Sequence, residues 1–288
     1  MWFIFALASA FFAAVNRTLI KSAGRTAGDS AIVFARSAFG AIPAVALLFV
    51  VPIPSIPPKF FVFIFCACST DVIALLCMSR SLRLASMQRA VPLLSFTPVF
   101  LLVTGVLLLN ESPSLQGLVG VVVTVTGSYL LSSKGTRMRI WEPFVLLIKE
   151  PGARYMLVAA ACFSVAGPFF KKAVLSTSPY FTMSVSLPLS TFLLVSVHLL
   201  RGRHFSTLLP KKENLAVMIG LGLGVVGVAL STNFAFELGL ISYVVSIKRL
   251  SILISLIMGA VIFHERNLKE HLIPATIMVA GACIIALS

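Results

Sequence analysis

Residues 236–285 read FELGLISYVVSIKRLSILISLIMGAVIFHERNLKEHLIPATIMVAGACII. Two apolar runs, Leu240–Phe263 and Leu268–Leu287, are joined here by a short charged turn. A helix needs ~20 residues to cross the hydrocarbon core of a bilayer, and both runs reach that length. Lipid offers no partner to an exposed N–H or C=O, so a run of this kind must be helical. Working outward, eight more runs precede these two: Trp2–Ile20, Ser30–Val51, Phe60–Ser79, Ser86–Leu109, Leu115–Leu131, Arg154–Leu175, Tyr180–Leu200 and Leu215–Phe236. The composition agrees. Of 288 residues, 59% are hydrophobic and only 11% charged, with mean hydropathy +1.04. Soluble domains carry roughly 25% charged residues, so a water-soluble fold is excluded, as are disordered and disulfide-rich secreted classes. The expected fold class is an all-α polytopic membrane protein with ten transmembrane helices. The integral lipid bilayer is its first partner.

The net charge is +14, but the bases sit between apolar runs and form no nucleic-acid motif. With ten spans, both termini share a side with loops holding only Lys59, Lys171 and Lys172, whereas the opposite side holds 16 of the 23 Lys and Arg. The positive-inside rule therefore places both termini on the outer face of a plasma or inner membrane. The first run has Arg17, Lys21 and Arg25 after it rather than a basic segment before it, so it reads as a retained helix.

A shift of 154 residues lays residues 82–131, LRLASMQRAVPLLSFTPVFLLVTGVLLLNESPSLQGLVGVVVTVTGSYLL, on the segment quoted first. Gly105 falls on Gly259, Glu111 on Glu265, Gly127 on Gly281, and Arg17 on Lys171. The expected organisation is a five-helix repeat at 1–133, a cytoplasmic linker at 134–153 and a second five-helix repeat at 154–288. Five is odd, so the second repeat enters the membrane inverted. That arrangement is typical of secondary transporters, with a central cavity between the repeats.

These two segments resemble the EamA-type repeat of the drug/metabolite transporter superfamily, with Glu111 and Glu265 at the signature positions. The resemblance covers essentially the whole chain. It implies ten helices and transport of a small-molecule metabolite, and it does not name the substrate.

A charge at the bilayer centre costs ~2.5–3.5 kcal/mol, so such residues need a partner or a wet cavity. Lys248 and Arg249 lie deep in the ninth run, beside Tyr243. They read as a site for an anionic group, as snorkelling cations, or as partners of Asp71 in the third run. The pair also resembles the one in the penultimate helix of the triose-phosphate translocator branch, where it grips phosphate. Gln88 and Arg36 complete the substrate-binding candidates. Asp71 would couple protons or hold the empty cavity through Arg36 or Lys248. Asn16, Arg17 and Lys171 read as gating residues or interfacial anchors, and Pro92 and Pro168 as kinks that gate.

Gly222, Gly224 and Gly227 match a dinucleotide fingerprint in letters. They lie in an apolar span without a preceding strand and so read as a helix-packing face, with Gly220-xxx-Gly224 giving close approach. No metal-ligand spacing, catalytic triad or phosphate loop stands out, so neither a cofactor nor an enzyme is expected. The leading function is a secondary transporter of a small anionic or zwitterionic metabolite by alternating access. An exporter of amphipathic amines and a lipid-headgroup flippase are the alternatives. Protons as coupling ion and a second copy of the chain are the remaining partners considered.

Overall fold

The computed structural model describes residues 1–23, 29–84, 91–133, 150–202, 204–209, 215–263 and 272–288. Among the described residues there are eleven α-helices, three 3-10 turns and no strand. The helices are α1 (Trp2–Ala23), α2 (Asp29–Ala46), α3 (Pro58–Leu84), α4 (Thr97–Leu109), α5 (Leu115–Ser133) and α6 (Pro151–Ser176). They continue as α7 (Pro179–Leu200), α8 (Leu215–Leu238), α9 (Ile241–Lys248), α10 (Ser251–Phe263) and α11 (Leu272–Ala286). The ten expected spans are all present. The ninth is delivered in two pieces, α9 and α10, and the described part of the fourth opens with a 3-10 turn at Val91–Phe96 before α4. The spans through α1, α2, α3, α6, α7 and α8 are long and apolar enough to cross a bilayer unaided.

Helix ends follow local chemistry. The Ser178 hydroxyl accepts the Phe181 N–H (3.2 Å) at the start of α7, where Pro179 stands in the first turn. Asn110 ends α4 in a left-handed conformation (φ 53°) that asparagine tolerates better than most residues.

The chain divides into two compact units, one of residues 1–72 and 169–238, the other of 73–168 and 239–288. Each unit draws on both halves of the sequence. Span three crosses from the first unit to the second after Val72, and span six crosses back after Pro168.

In the first unit, α8 is packed by α1 and α2 on different faces. Phe5 stacks on Phe234 (5.0 Å), the Ser9 and Thr232 hydroxyls meet at 2.7 Å, and Phe12, Asn16 and Leu19 cover Gly227, Gly224 and Gly220. The spacing 5, 9, 12, 16, 19 is a single stripe of α1. A methyl on Gly224 would stand 2.8 Å from the Asn16 carboxamide oxygen, and one on Gly227 2.7 Å from the Phe12 ring. Gly222 turns the other way, where a methyl would meet Phe39 Cβ at 2.5 Å on α2. The three glycines of the apparent dinucleotide motif are thus divided between two helix interfaces. Lipid supplies no hydrophobic push between helices, so contact depends on this close backbone approach.

The second unit holds an equivalent crossing of α5 and α11. A methyl on Gly127 would meet the Met278 nitrogen at 2.6 Å and the Pro274 carbonyl at 3.0 Å. A methyl on Gly281 would meet the Thr124 nitrogen at 2.5 Å and the Gly120 carbonyl at 2.9 Å. Under the 154-residue shift Gly127, Thr124 and Gly120 become Gly281, Met278 and Pro274, so each contact is the image of the other.

Candidate functional site

The polar residues of the spans fall into two groups, one in each unit. In the second unit, Lys248 is the last residue of α9 and Arg249 its C-cap. Both are half-buried, while Ser246, Ile247, Leu250 and Ser251 around them are buried. The Leu250 N–H donates to the Ile247 carbonyl (2.9 Å) and the Ile252 N–H to the Arg249 carbonyl (2.9 Å), each a three-residue step. This local tightening separates α9 from α10 at the cation pair. Neither cation is unpartnered.

The start of α9 is held from three sides. Glu111 accepts the Ile241 N–H with both carboxylate oxygens, at 2.9 and 3.2 Å. A carboxylate at a helix N-terminus satisfies an orphan donor and meets the positive end of the helix dipole. The Ile241 side chain fits against Gly167 and Gly105, where added methyls would meet it at 2.9 and 3.3 Å. The Tyr243 oxygen accepts the Ser114 N–H (3.0 Å), and its ring occupies the space a side chain at Gly117 would need. Tyr243 is buried, and its hydroxyl is engaged with α5's approach loop. Glu111 was recognisable from the sequence as a repeat position, but its capping role required the fold.

The Val91–Phe96 turn of span four lies at the position equivalent to the α9–α10 break. Ser95, in the Val91–Phe96 turn, corresponds to Arg249 under the 154-residue shift. Ser95 is 1% exposed and its hydroxyl finds no hydrogen-bond partner among the described residues. Pro92 lies in the same turn. Gln88 and Glu265 fall outside the described residues, as does nearly all of the expected linker.

Pro168 lies inside α6, at the residue where that helix passes from one unit to the other. Proline has no N–H for the carbonyl four residues earlier. That carbonyl belongs to Ser164, and the Thr104 hydroxyl donates to it at 2.7 Å. A side chain from α4 thus replaces the bond that Pro168 removes. Sequence reading named Pro168 and missed Thr104, although a threonine within an apolar span is a usable signal.

The first unit gathers Asn16 and Arg17 of α1, Arg36 of α2 and Asp71 of α3. Asp71 is within electrostatic range of Arg36, and Arg36 of Arg17. Asn16 is 4% exposed, and neither its amide nitrogen nor its oxygen makes a hydrogen bond with a described residue. Arg17 is exposed and Arg36 half-buried. Lys171 is buried at 8% exposure. Its neighbour Lys172 lies over the Phe63 ring at 5.5 Å. Among the described residues no group of His, Cys, Asp and Glu is arranged to hold a metal ion.

An all-helical chain of ten apolar spans, with charged residues placed inside the spans, has the form of a polytopic membrane transporter. The sequence model of the EamA-like transporter family matches residues 1–133 and 150–287, and the chain belongs to that family. It is therefore an integral membrane protein of a transporter family. A solved structure described only as "Crystal structure of protein" superposes with a TM-score of 0.80 at 15% identity, covering 99% of this chain and 98% of that one. At that identity the likeness concerns the fold alone. No curated protein matches the sequence.

Proposed function

We propose that the protein is a secondary transporter that moves a small anionic or zwitterionic metabolite by alternating access. Lys248 and Arg249 hold the anionic group. The observation that carries this reading is the interruption of span nine at the two cations. Interrupted spans mark binding sites in transporters built from inverted repeats, and the Val91–Phe96 turn lies at the repeat position corresponding to the α9–α10 break. The guanidinium supplies a fork of donors for an oxyanion and the ammonium a compact charge. Glu111 and Tyr243 fix α9 in place, and Pro168 supplies the hinge in α6. Asp71, within range of Arg36, balances charge in the substrate-free state or carries the coupling proton. Both termini lie on the outer face of a plasma or inner membrane.

The test is ligand-dependent thermal stability of purified protein in detergent, followed by transport in liposomes. A ligand at 100 times its dissociation constant adds about 2.7 kcal/mol to stability. Phosphorylated metabolites and carboxylates are expected to stabilise wild type and to lose most of that effect in the Lys248→Ala/Arg249→Ala protein. Normal transport rates in that variant would refute the assignment.

A further inference from the structure

The first unit contains charges that the Lys248–Arg249 site does not use. Helix registers place them near one another. In the α1–α8 seam Asn16 faces Gly224, and one turn further along Leu19 faces Gly220. Leu19 and Ile20 of α1 and Phe39 of α2 all pack against one buried cluster, Ile32 and Ala35 of α2 with Met218 and Leu221 of α8. Arg17 is three residues from Ile20, and Arg36 is three from Phe39 and four from Ile32. Residues three and four apart share a helix face, so each arginine lies one turn from a residue of this shared cluster.

The register of α7 brings in Asp71. A methyl on Gly40 would meet Leu187 of α7 at 3.6 Å, and the Cys68 thiol donates to the Ser186 carbonyl at 3.6 Å. Spans two and seven run in opposite directions, whereas three and seven run the same way. Arg36, four residues before Gly40, therefore stands opposite residue 191, and Asp71, three after Cys68, opposite residue 189. Two residues of helix amount to ~3 Å along the axis. Arg36 and Asp71 thus occupy nearly one level, within electrostatic range of each other.

Among the described residues this group has two guanidiniums and one carboxylate, an excess of one positive charge within membrane-spanning helices. Beside Arg17 stands Asn16, a buried carboxamide whose donor and acceptor bond to no described residue. Both features are costly without a partner.

We infer that Arg17, Arg36 and Asn16 form a second oxyanion-binding site, for a carboxylate or phosphate group, with Asp71 as the internal counter-ion that the ligand displaces from Arg36. The guanidiniums supply paired donors to the planar or tetrahedral oxyanion, and the Asn16 amide supplies a further one. Arg17 is then a ligand-binding residue rather than an interfacial anchor. The chemistry of this site stands without the Lys248–Arg249 site, because its residues belong to the other compact unit.

The test is calorimetric titration of inorganic phosphate and of succinate into the full chain in zwitterionic-lipid nanodiscs. Wild type, Arg17→Gln, Arg17→Lys, Asp71→Asn and Lys248→Ala/Arg249→Ala are compared, each checked for helix content by circular dichroism. Loss of a charge-assisted pair predicts at least tenfold weaker binding in Arg17→Gln. Arg17→Lys, which keeps the charge, is expected to fall between wild type and Arg17→Gln. Asp71→Asn is expected to bind several-fold more tightly, because the competing carboxylate has lost its charge. Binding that depends on Arg17 must persist in Lys248→Ala/Arg249→Ala. Affinity unchanged by Arg17→Gln in that background, or no anion binding left in it, overturns the second site. Loss of ligand dependence only at Lys248 and Arg249 leaves the transport site standing while removing this one. Competition by phosphatidylglycerol that depends on Arg17 supports the site and assigns its oxyanion to a lipid headgroup.

Discussion

Replacing Thr104 with valine removes the hydroxyl that donates to the Ser164 carbonyl at 2.7 Å. The carbonyl has no N–H partner four residues on, because that position is Pro168. Hydrogen bonds between membrane helices contribute ~0.6 kcal/mol on average and up to ~1.7 kcal/mol. Short geometry and a carbonyl left without its helical donor place this bond toward the upper end, so Thr104→Val should cost about 1–1.5 kcal/mol. In Pro168→Ala the new N–H takes the Ser164 carbonyl, and the Thr104 hydroxyl loses its purpose. Thr104→Val in that background should cost about 0.5 kcal/mol or less, giving a coupling of roughly 1 kcal/mol. The assay is unfolding by sodium dodecyl sulfate in mild detergent micelles, followed by circular dichroism, for wild type, both single variants and the double. Because α6 changes unit at Pro168, the same Pro168→Ala protein should also turn over more slowly in liposomes. Costs that add to within ~0.3 kcal/mol would refute the reasoning, since the two side chains would then not share one carbonyl.

The α5–α11 crossing should behave as one unit. Gly127→Ala and Gly281→Ala should each cost about 1–3 kcal/mol by forcing backbone apart, and the double variant should cost less than their sum, measured by the same unfolding assay. Glu111→Ala should destabilise by about 1.5–3 kcal/mol through loss of the Ile241 cap, whereas Glu111→Gln, which keeps an acceptor, should cost about 1 kcal/mol. Asn16→Leu, which replaces an unsatisfied buried amide with a similar volume, should be neutral or stabilising by about 1 kcal/mol in thermal unfolding. It should nevertheless weaken phosphate binding, a combination that a purely structural Asn16 would not give.

The spans were legible because hydrocarbon imposes length and composition on any helix that crosses it. Trp2–Ile20 lies within α1, and Tyr180–Leu200 reappears as α7 (Pro179–Leu200). The repeat was legible through Gly127 and Gly281, since small residues are required where two backbones nearly touch. The glycines of 220–227 were correctly read as packing positions, but not that Gly224 serves α1 while Gly222 serves α2. The division of span nine at Lys248–Arg249 was not legible either. Hydropathy runs unbroken through Leu240–Phe263, and the tightening there consists of backbone bonds that no side chain announces. Likewise, Arg17 and Lys171 look alike at the ends of apolar runs, yet one is exposed and the other buried.

Composition and run length alone determined the ten membrane spans, because each span answers separately to the bilayer, and the 154-residue self-similarity marked the twofold repeat. Only the tertiary structure decided which charges share a neighbourhood, placing Arg17, Arg36 and Asp71 in one unit and Lys248 with Arg249 in the other. Those groupings depend on how helices from both halves of the chain pair through their glycines. That pairing is a property of surfaces meeting in space, and a linear pattern of apolar residues does not contain it.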